Sequence, residues 1–163
     1  MADNTPLIYC YIPGDPKGKG RPRFSRKSGR AYTPEQTMSA ESWVRTCWLE
    51  EHGQTMLECP IELGLTIGMQ IPRSWSNKRK AAARAGLELP TKVPDIDNIY
   101  KLAEDALNGI AWVDDKQIVA VPYIWKVYTD SPGLVMSVRC LFNEEAPAWF
   151  AEAQVLLAGF QSS

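Results

Sequence analysis

Strict alternation in residues 61–71, IELGLTIGMQI, constrains the fold of this chain more than any other feature. Its apolar side chains fall on every second residue, while Gly64 and Gly68 lie among the polar residues of the opposite face. A period of two is that of a β-strand with one buried face. A glycine on the other face lets a second backbone or a ligand approach closely. The chain must therefore build a sheet that is covered along this strand.

The rest of the chain alternates between helical and strand periodicity. Ala40, Trp43, Val44 and Cys47 are expected to form the inner face of one helix, which Gly53 ends. The order of elements predicts an α/β (α+β) fold, with a single domain over residues 1–163 and a mixed, largely antiparallel sheet packed with helices. Besides 61–71, strands are predicted at 7–12, 110–113, 117–128 and 134–142, and helices at 33–52, 77–85, about 97–108 and 147–157.

Basic residues are segregated, although the net charge is only -1. The segment 13–34 is predicted to be a loop or an irregular hairpin, and a loop of that length in a compact domain is usually functional. Two basic segments around an acidic centre indicate a polyanion held near a cation, although solvated faces show the same charge runs. The candidate phosphate-binding residues are Lys17, Lys19, Arg21, Arg23, Arg26, Lys27 and Arg30, followed by Lys78, Arg79 and Lys80.

The cysteines and the single histidine carry no predicted chemistry. Cys10, Cys47, Cys59 and Cys140 form no CxxC pair and have no histidine at zinc spacing, which favours reduced, mostly buried thiols in a cytosolic protein. His52, near a helix end, is interpreted as a surface residue. No apolar run approaches the ~18 residues of a membrane helix, and the N-terminus does not resemble a signal peptide. We therefore expect a cytoplasmic protein without a membrane partner.

Acidic residues cluster in residues 93–117, VPDIDNIYKLAEDALNGIAWVDDKQ. Asp95 and Asp97 are two residues apart in a segment that a proline keeps extended, so their side chains are expected on the same side. Lys101 follows Asp97 by about one helical turn. A helix ~15 Å long and a returning strand would bring the turn at Asp114 and Asp115 back to them. Three or four carboxylates would then converge with one lysine.

Convergent carboxylates without His or Cys are hard oxygen ligands that suit Mg²⁺ or Mn²⁺ rather than zinc. Each residue also has a simpler interpretation, with Asp97 as a helix cap, Lys101 and Asp105 as a surface ion pair, and residues 114–115 as turn formers. A lone D-x-D is weak evidence. D-x-D-N-x-x-K, an amphipathic helix and then D-D together favour a divalent metal site.

The run PDIDNIYKLAEDALNG with the following WVDDKQI resembles the signature of the RusA family of Holliday junction resolvases, and KGKGRPRFSRKSGRAYTPEQT resembles the family's basic N-terminal stretch. The resemblance covers residues 7–127. It implies a small homodimeric endodeoxyribonuclease that needs Mg²⁺ or Mn²⁺ and binds four-way DNA junctions, and it is consistent with a phage origin. The implied site residues are Asp95, Asp97 and Asp115 as essential acids and metal ligands, Lys101 as the catalytic lysine, and Asp114 as an assisting ligand or a turn former.

The expected reaction is phosphodiester hydrolysis at one or two Mg²⁺ ions, with two junction strands cut by the two sites of a dimer during DNA recombination or repair. Lys101 would position the attacking water or stabilise the charged transition state. The basic segments would follow the DNA phosphates. Three alternatives stay open: a general branched-DNA or flap nuclease, a non-catalytic nucleic-acid-binding module, and metal-dependent hydrolysis of nucleotides.

Overall fold

The computed structural model describes residues 7–20, 23–24, 31–32, 35–141 and 146–161 of the 163. The helices and strands follow one another in largely the predicted order, with two short strands added before the first helix. The strands are β1 (Leu7–Pro13), β2 (Arg23–Phe24), β3 (Ala31–Tyr32), β4 (Ile61–Gln70), β5 (Ile118–Ala120), β6 (Ile124–Thr129) and β7 (Gly133–Cys140), and the helices are α1 (Glu35–His52), α2 (Asn77–Arg84), α3 (Ile96–Leu107) and α4 (Phe150–Gln161), with a 3₁₀ turn at Asp115–Gln117.

Strand β4 is the centre of a five-stranded sheet. On one side it pairs antiparallel with β7, which pairs antiparallel with β1; on the other side it pairs in parallel with both β5 and β6. The two longest pairings are antiparallel, which confirms the prediction of a mixed, largely antiparallel sheet. Ile61, Leu63, Leu65 and Ile67 have no exposed surface, as the alternation in β4 requires.

Helices α1 and α3 pack against each other and cover the core face of the sheet. Val44 and Trp48 of α1 are buried, but Trp43 is 46% exposed, so the expectation that Trp43 faces the core is wrong. The core stripe of α1 follows positions 40, 44, 47 and 48, which share one helical face, and Trp43 falls beside it. Its indole Nε1 instead donates to the carbonyl of Pro13 at 2.9 Å.

Two predicted strands differ from the structure. Residues 110–113 form a turn in which Trp112 makes only isolated bridges, one of them with Leu57, rather than a strand. Segment 117–128 is split into β5 and β6 at Pro122, which lacks the N–H that a ladder needs. Segment 13–34 contains a short hairpin of β2 and β3, in which Arg23 lies opposite Tyr32.

The cysteines also differ from the expectation. Cys59 and Cys140 form a disulfide, whereas Cys10 and Cys47 are free. Cys59 lies just before β4, and Cys140 lies opposite Ile61 in the antiparallel β4–β7 pair, so the register brings together residues that are 81 apart in sequence. No helix in the described part of the chain is long and apolar enough to cross a lipid bilayer.

Candidate metal and nuclease site

Helix α3 presents an apolar face to the core and a charged stripe to the outside. Its buried residues are Ile99, Leu102, Ala103, Ala106 and Leu107, and the chain leaves the helix at Gly109, whose φ of +73° suits glycine. Lys101, Glu104 and Asp105 follow Asp97 by four, seven and eight residues, and the four side chains therefore share the opposite face.

Asp95 and Asp97 lie at the amino end of α3, and both are exposed. Asp95 is the N-cap residue with extended backbone, and its side chain makes no capping hydrogen bond; Asp97 lies in the first turn. The prediction that Asp95 and Asp97 lie in one extended segment is therefore wrong, because the helix already begins at Ile96. Both carboxylates instead lie where the helix dipole favours negative charge.

Glu104, Asp105 and Asp115 form an acidic cluster, in which one carboxylate oxygen of each lies within 4.8 Å of the others. Lys101 lies among them, with its Nζ 2.8 Å from Glu104, 3.3 Å from Asp105 and 3.9 Å from Asp115. The structure thus brings Asp115 and Lys101 together, whereas Asp95 and Asp97, which were expected to converge with them, are not among the acids of this cluster. Glu104 and Asp105 were missing from the predicted ligands, although their spacing from Lys101 along a helix was the signal that could have found them.

The electrostatics of the acidic cluster act on the neighbouring titratable groups. The hydrogen bond to Glu104 raises the pKa of Lys101, and the charge of Asp115 adds to the effect. Burial raises the pKa of Tyr100, and the charges of Glu104 and Asp115 raise it further. Lys101 therefore stays a cation at neutral pH, and it offsets part of the repulsion between the carboxylates.

The 3₁₀ turn that carries Asp115 is held by its neighbours. The Asp114 carboxylate accepts the backbone N–H of Lys116 at 3.0 Å, and that bond lowers the pKa of Asp114. The amide nitrogen of Gln117 donates to the carbonyls of Leu57 at 2.8 Å and Cys59 at 3.0 Å, while its oxygen accepts the N–H of Asp114 at 2.9 Å. Gln117, which the sequence analysis assigned no role, therefore fixes this turn to the chain before β4.

The loop after β1 also reaches the acidic cluster. The Lys19 ammonium contacts Asp105 and lies 3.7 Å from Glu41 of α1, and its backbone N–H donates to Asn98 at 2.9 Å. A side chain at Gly18 would meet Pro94 and Asn98, so this loop lies directly against the start of α3. Lys19, one of the predicted phosphate-binding residues, is thus placed at the carboxylates.

A family model described as endodeoxyribonuclease RusA matches residues 13–139, which is most of the chain. This chain belongs to the RusA endodeoxyribonuclease family. It is also 31% identical over 136 residues to YqaN of Bacillus subtilis strain 168, a protein described as uncharacterized, with 81% of this chain and 95% of that protein covered. The matched region contains α3, the 3₁₀ turn and Lys19, whereas α4 lies outside it.

The other basic residues of this RusA-family chain have different surroundings. Lys17 and Lys78 are exposed. Arg79 pairs with Glu88 and stacks over the ring of Trp75 at 3.6 Å from the centroid. Lys80 is half-buried. Only the backbone of Arg23 is described, and Arg21, Arg26, Lys27 and Arg30 lie outside the described residues.

The donor chemistry of the site suits a hard divalent cation. The acidic cluster offers oxygen ligands from three carboxylates, and Mg²⁺ is held in enzymes by one or two carboxylates together with substrate phosphate. Glu104 and Asp105 side chains are only 14% and 24% exposed, whereas Asp95 and Asp97 are exposed two to three turns earlier at the amino end of the same helix. The acidic cluster and these two exposed acids are therefore separate groups of candidate oxygen ligands in the described residues.

Proposed function

We propose that this chain is a Mg²⁺- or Mn²⁺-dependent endonuclease that resolves four-way DNA junctions by paired phosphodiester cleavage. Family membership supports the nuclease class. The observation that carries the metal dependence is the packing of Asp115 against the charged stripe of α3, around Lys101. Asp115 adds a negative charge to a cluster that lysines only partly offset, and a dication between Asp115 and a DNA phosphate would relieve the repulsion.

We assign the metal-holding role to Asp95, Asp97 and Asp115, with Asp114 holding the turn that carries Asp115. When bound, Mg²⁺ would supply an activated water and neutralise charge on the phosphodiester. Lys101, already beside Asp115, holds a positive charge where negative charge grows on the phosphate in the transition state. Its own pairing with Glu104 keeps the ammonium in place before the substrate arrives.

The proposed partner is branched DNA, bound by a homodimer in the cytoplasm of a bacterial or phage-infected cell. The exposed Lys17 and Lys78 are suited to phosphate contacts because no acidic side chain in the described residues neutralises them at bonding distance. Arg79 is less suited, since Glu88 already takes its charge. A two-fold dimer presents two active sites, which paired cuts in strands of opposite polarity require.

The deciding experiment measures cleavage of a labelled synthetic four-way junction by the purified chain, with and without Mg²⁺. We expect paired, metal-dependent cuts that Asp97→Asn or Asp115→Asn abolishes, while junction binding in Ca²⁺ persists or tightens because a negative charge near phosphate is lost. Lys116→Ala, next to Asp115 but with a side chain 86% exposed, is the matched control and should cleave normally.

The same assay separates the alternatives. Equal cleavage of three-way, flap and four-way substrates would assign the chain to the general branched-DNA nucleases. Junction binding without cleavage by any variant would leave a non-catalytic binding module. Hydrolysis of free nucleotides with no cut in DNA would contradict the proposal.

A second measurement assigns the ligands. The experiment compares Mn²⁺ binding by Asp97→Asn and by Glu104→Gln in the absence of DNA. Binding is measured as the loss of the electron paramagnetic resonance signal of free Mn²⁺. We expect Asp97→Asn to weaken binding the more, since Glu104 is already occupied by Lys101. The opposite order would move the ion down α3 to the acidic cluster itself.

A further inference from the structure

A second group of metal-ligating side chains lies where β1 meets the end of α1. Cys10, on the core side of β1, has no exposed surface. One ligand atom from each of Cys10, Glu51 and His52 lies within 4.8 Å of the others. Glu51 is ten residues beyond Glu41, the α1 residue near Lys19, and ten residues of helix span about 15 Å. The group is therefore separate from the acidic cluster.

We propose that Cys10, Glu51 and His52 form a binding site for a borderline-soft divalent cation such as Zn²⁺. Sulfur, nitrogen and oxygen donors in one site are the set that zinc takes, whereas the acidic cluster offers oxygen alone. Bonds of about 2.0–2.3 Å to a tetrahedral ion place neighbouring ligand atoms roughly 3.3–3.7 Å apart. The three side chains would therefore close by about 1 Å, which small rotations about their χ angles can supply.

His52 reaches the group through Nε2, which lies 3.8 Å from the Glu51 carboxylate. The same nitrogen lies 2.7 Å from the carbonyl oxygen of Tyr9, the residue before Cys10. The ring also packs against Trp48, with its centroid 4.8 Å away. A zinc ion bound at Nε2 would take the lone pair of the neutral ring, so binding would replace the contact with Tyr9.

Cys10 supplies the sulfur donor from the core side of β1. Zinc binds the thiolate form of cysteine, so binding would release the thiol proton to solvent.

An ion could enter from the helix side. The side chains of His52 and Glu51 are 21% and 51% exposed, so the buried sulfur lies behind two accessible ligands. The fourth position of a tetrahedral ion would be filled by water.

The test uses the full chain, reduced and freed of metal with a chelator, and Co²⁺ as a spectroscopic probe for zinc. One Co²⁺ per chain should give a thiolate-to-cobalt charge-transfer band and tetrahedral d–d bands, and Zn²⁺ should displace it. Cys10→Ser should abolish the charge-transfer band. His52→Gln, a substitution at a partly exposed position, removes a direct ligand and should weaken Co²⁺ binding by at least the roughly 10- to 100-fold that loss of an outer-shell partner costs, while the fold is kept.

Two control variants separate this site from other sources of the signal. Asp115→Asn removes an oxygen donor of the acidic cluster and should leave the thiolate-to-cobalt charge-transfer band unchanged. Cys59→Ser with Cys140→Ser removes the other cysteine pair, and the band should again be unchanged. A missing charge-transfer band, a band that survives Cys10→Ser, or a band that is lost with the Cys59 and Cys140 substitutions would overturn the proposal. This result is independent of nuclease activity.

Discussion

Gln117 is the residue whose removal should show most directly how the active-site turn is held. Its side chain makes three hydrogen bonds of 2.8, 3.0 and 2.9 Å, to two carbonyls before β4 and to the N–H of Asp114. Each is worth about 1 kcal/mol net. Because Gln117 is half-buried, water will replace part of what is lost. Gln117→Ala should therefore lower the free energy of unfolding by about 2 kcal/mol.

The assay is urea denaturation followed by tryptophan fluorescence, together with junction cleavage at a temperature where the variant is fully folded. For a chain of this size, about 2 kcal/mol corresponds to a melting point lower by about 4–8 °C. Cleavage should fall further than the folded fraction, since the turn that carries Asp115 has lost its attachment. Lys116→Ala, at the exposed neighbour, should change stability by less than about 0.5 kcal/mol.

A Gln117→Ala variant within about 0.5 kcal/mol of the parent would refute the reasoning, because the three bonds would then contribute nothing. Full cleavage by a destabilised Gln117→Ala variant would refute only the prediction that cleavage falls further than the folded fraction. In that case the turn would be positioned by the Asp114 cap alone. Gln117→Glu keeps the length of the side chain and an acceptor but loses the donors to both carbonyls. It should therefore lower the free energy of unfolding, as Gln117→Ala does.

Three further predictions concern other parts of the chain. Gly64→Ala should destabilise the sheet by about 1–3 kcal/mol in urea melts, because its Cβ would lie 2.6 Å from the Tyr123 ring; an unchanged midpoint would show that the ring moves freely. Arg79 lowers the pKa of Glu88, so their pair stabilises the fold above the ordinary pKa of 4.5 and is lost as pH falls through the lowered value. The parent and Glu88→Gln should therefore differ in stability at neutral pH and converge in acid. Mn²⁺ at 100 times its dissociation constant should stabilise the parent by about 2.7 kcal/mol in thermal melts, and Asp115→Asn should lose this shift.

The parts of the fold that the sequence predicted depend on periodicity within one segment. β4 and α3 were predicted with nearly their observed ends, because alternation and helical spacing reflect burial of a single face. Trp43 was predicted to face the core but is exposed, whereas Trp48 of the same helix is buried. Only packing decides which of these two tryptophans of α1 is buried. The prediction of a strand at 110–113 was wrong, because an apolar run buried in a turn has the same composition as a short buried strand.

Pairings between distant segments could not be predicted. Cys59 meets Cys140 only through the register of β4 and β7, which cysteine spacing along the chain does not reveal. At the site, the sequence pattern indicated that Asp115 lies near Lys101, but Glu104 was assigned no role and Asp105 was considered only as the partner of Lys101 in a surface ion pair. Whether a helical carboxylate faces solvent or another acid depends on where the next segment returns, and no local pattern encodes that.

The contact of Lys19 with Asp105 couples the proposed binding of a divalent metal ion to the proposed binding of DNA. Lys19 and Lys101 both pair with Asp105, so two ammonium groups partly neutralise the acidic cluster to which Asp115 belongs. A nucleic-acid backbone would draw those ammonium groups to itself and leave the carboxylates more negative. By thermodynamic reciprocity, the dication and DNA would then each bind more tightly in the presence of the other. Metal affinities measured on the free protein would underestimate those of the loaded complex.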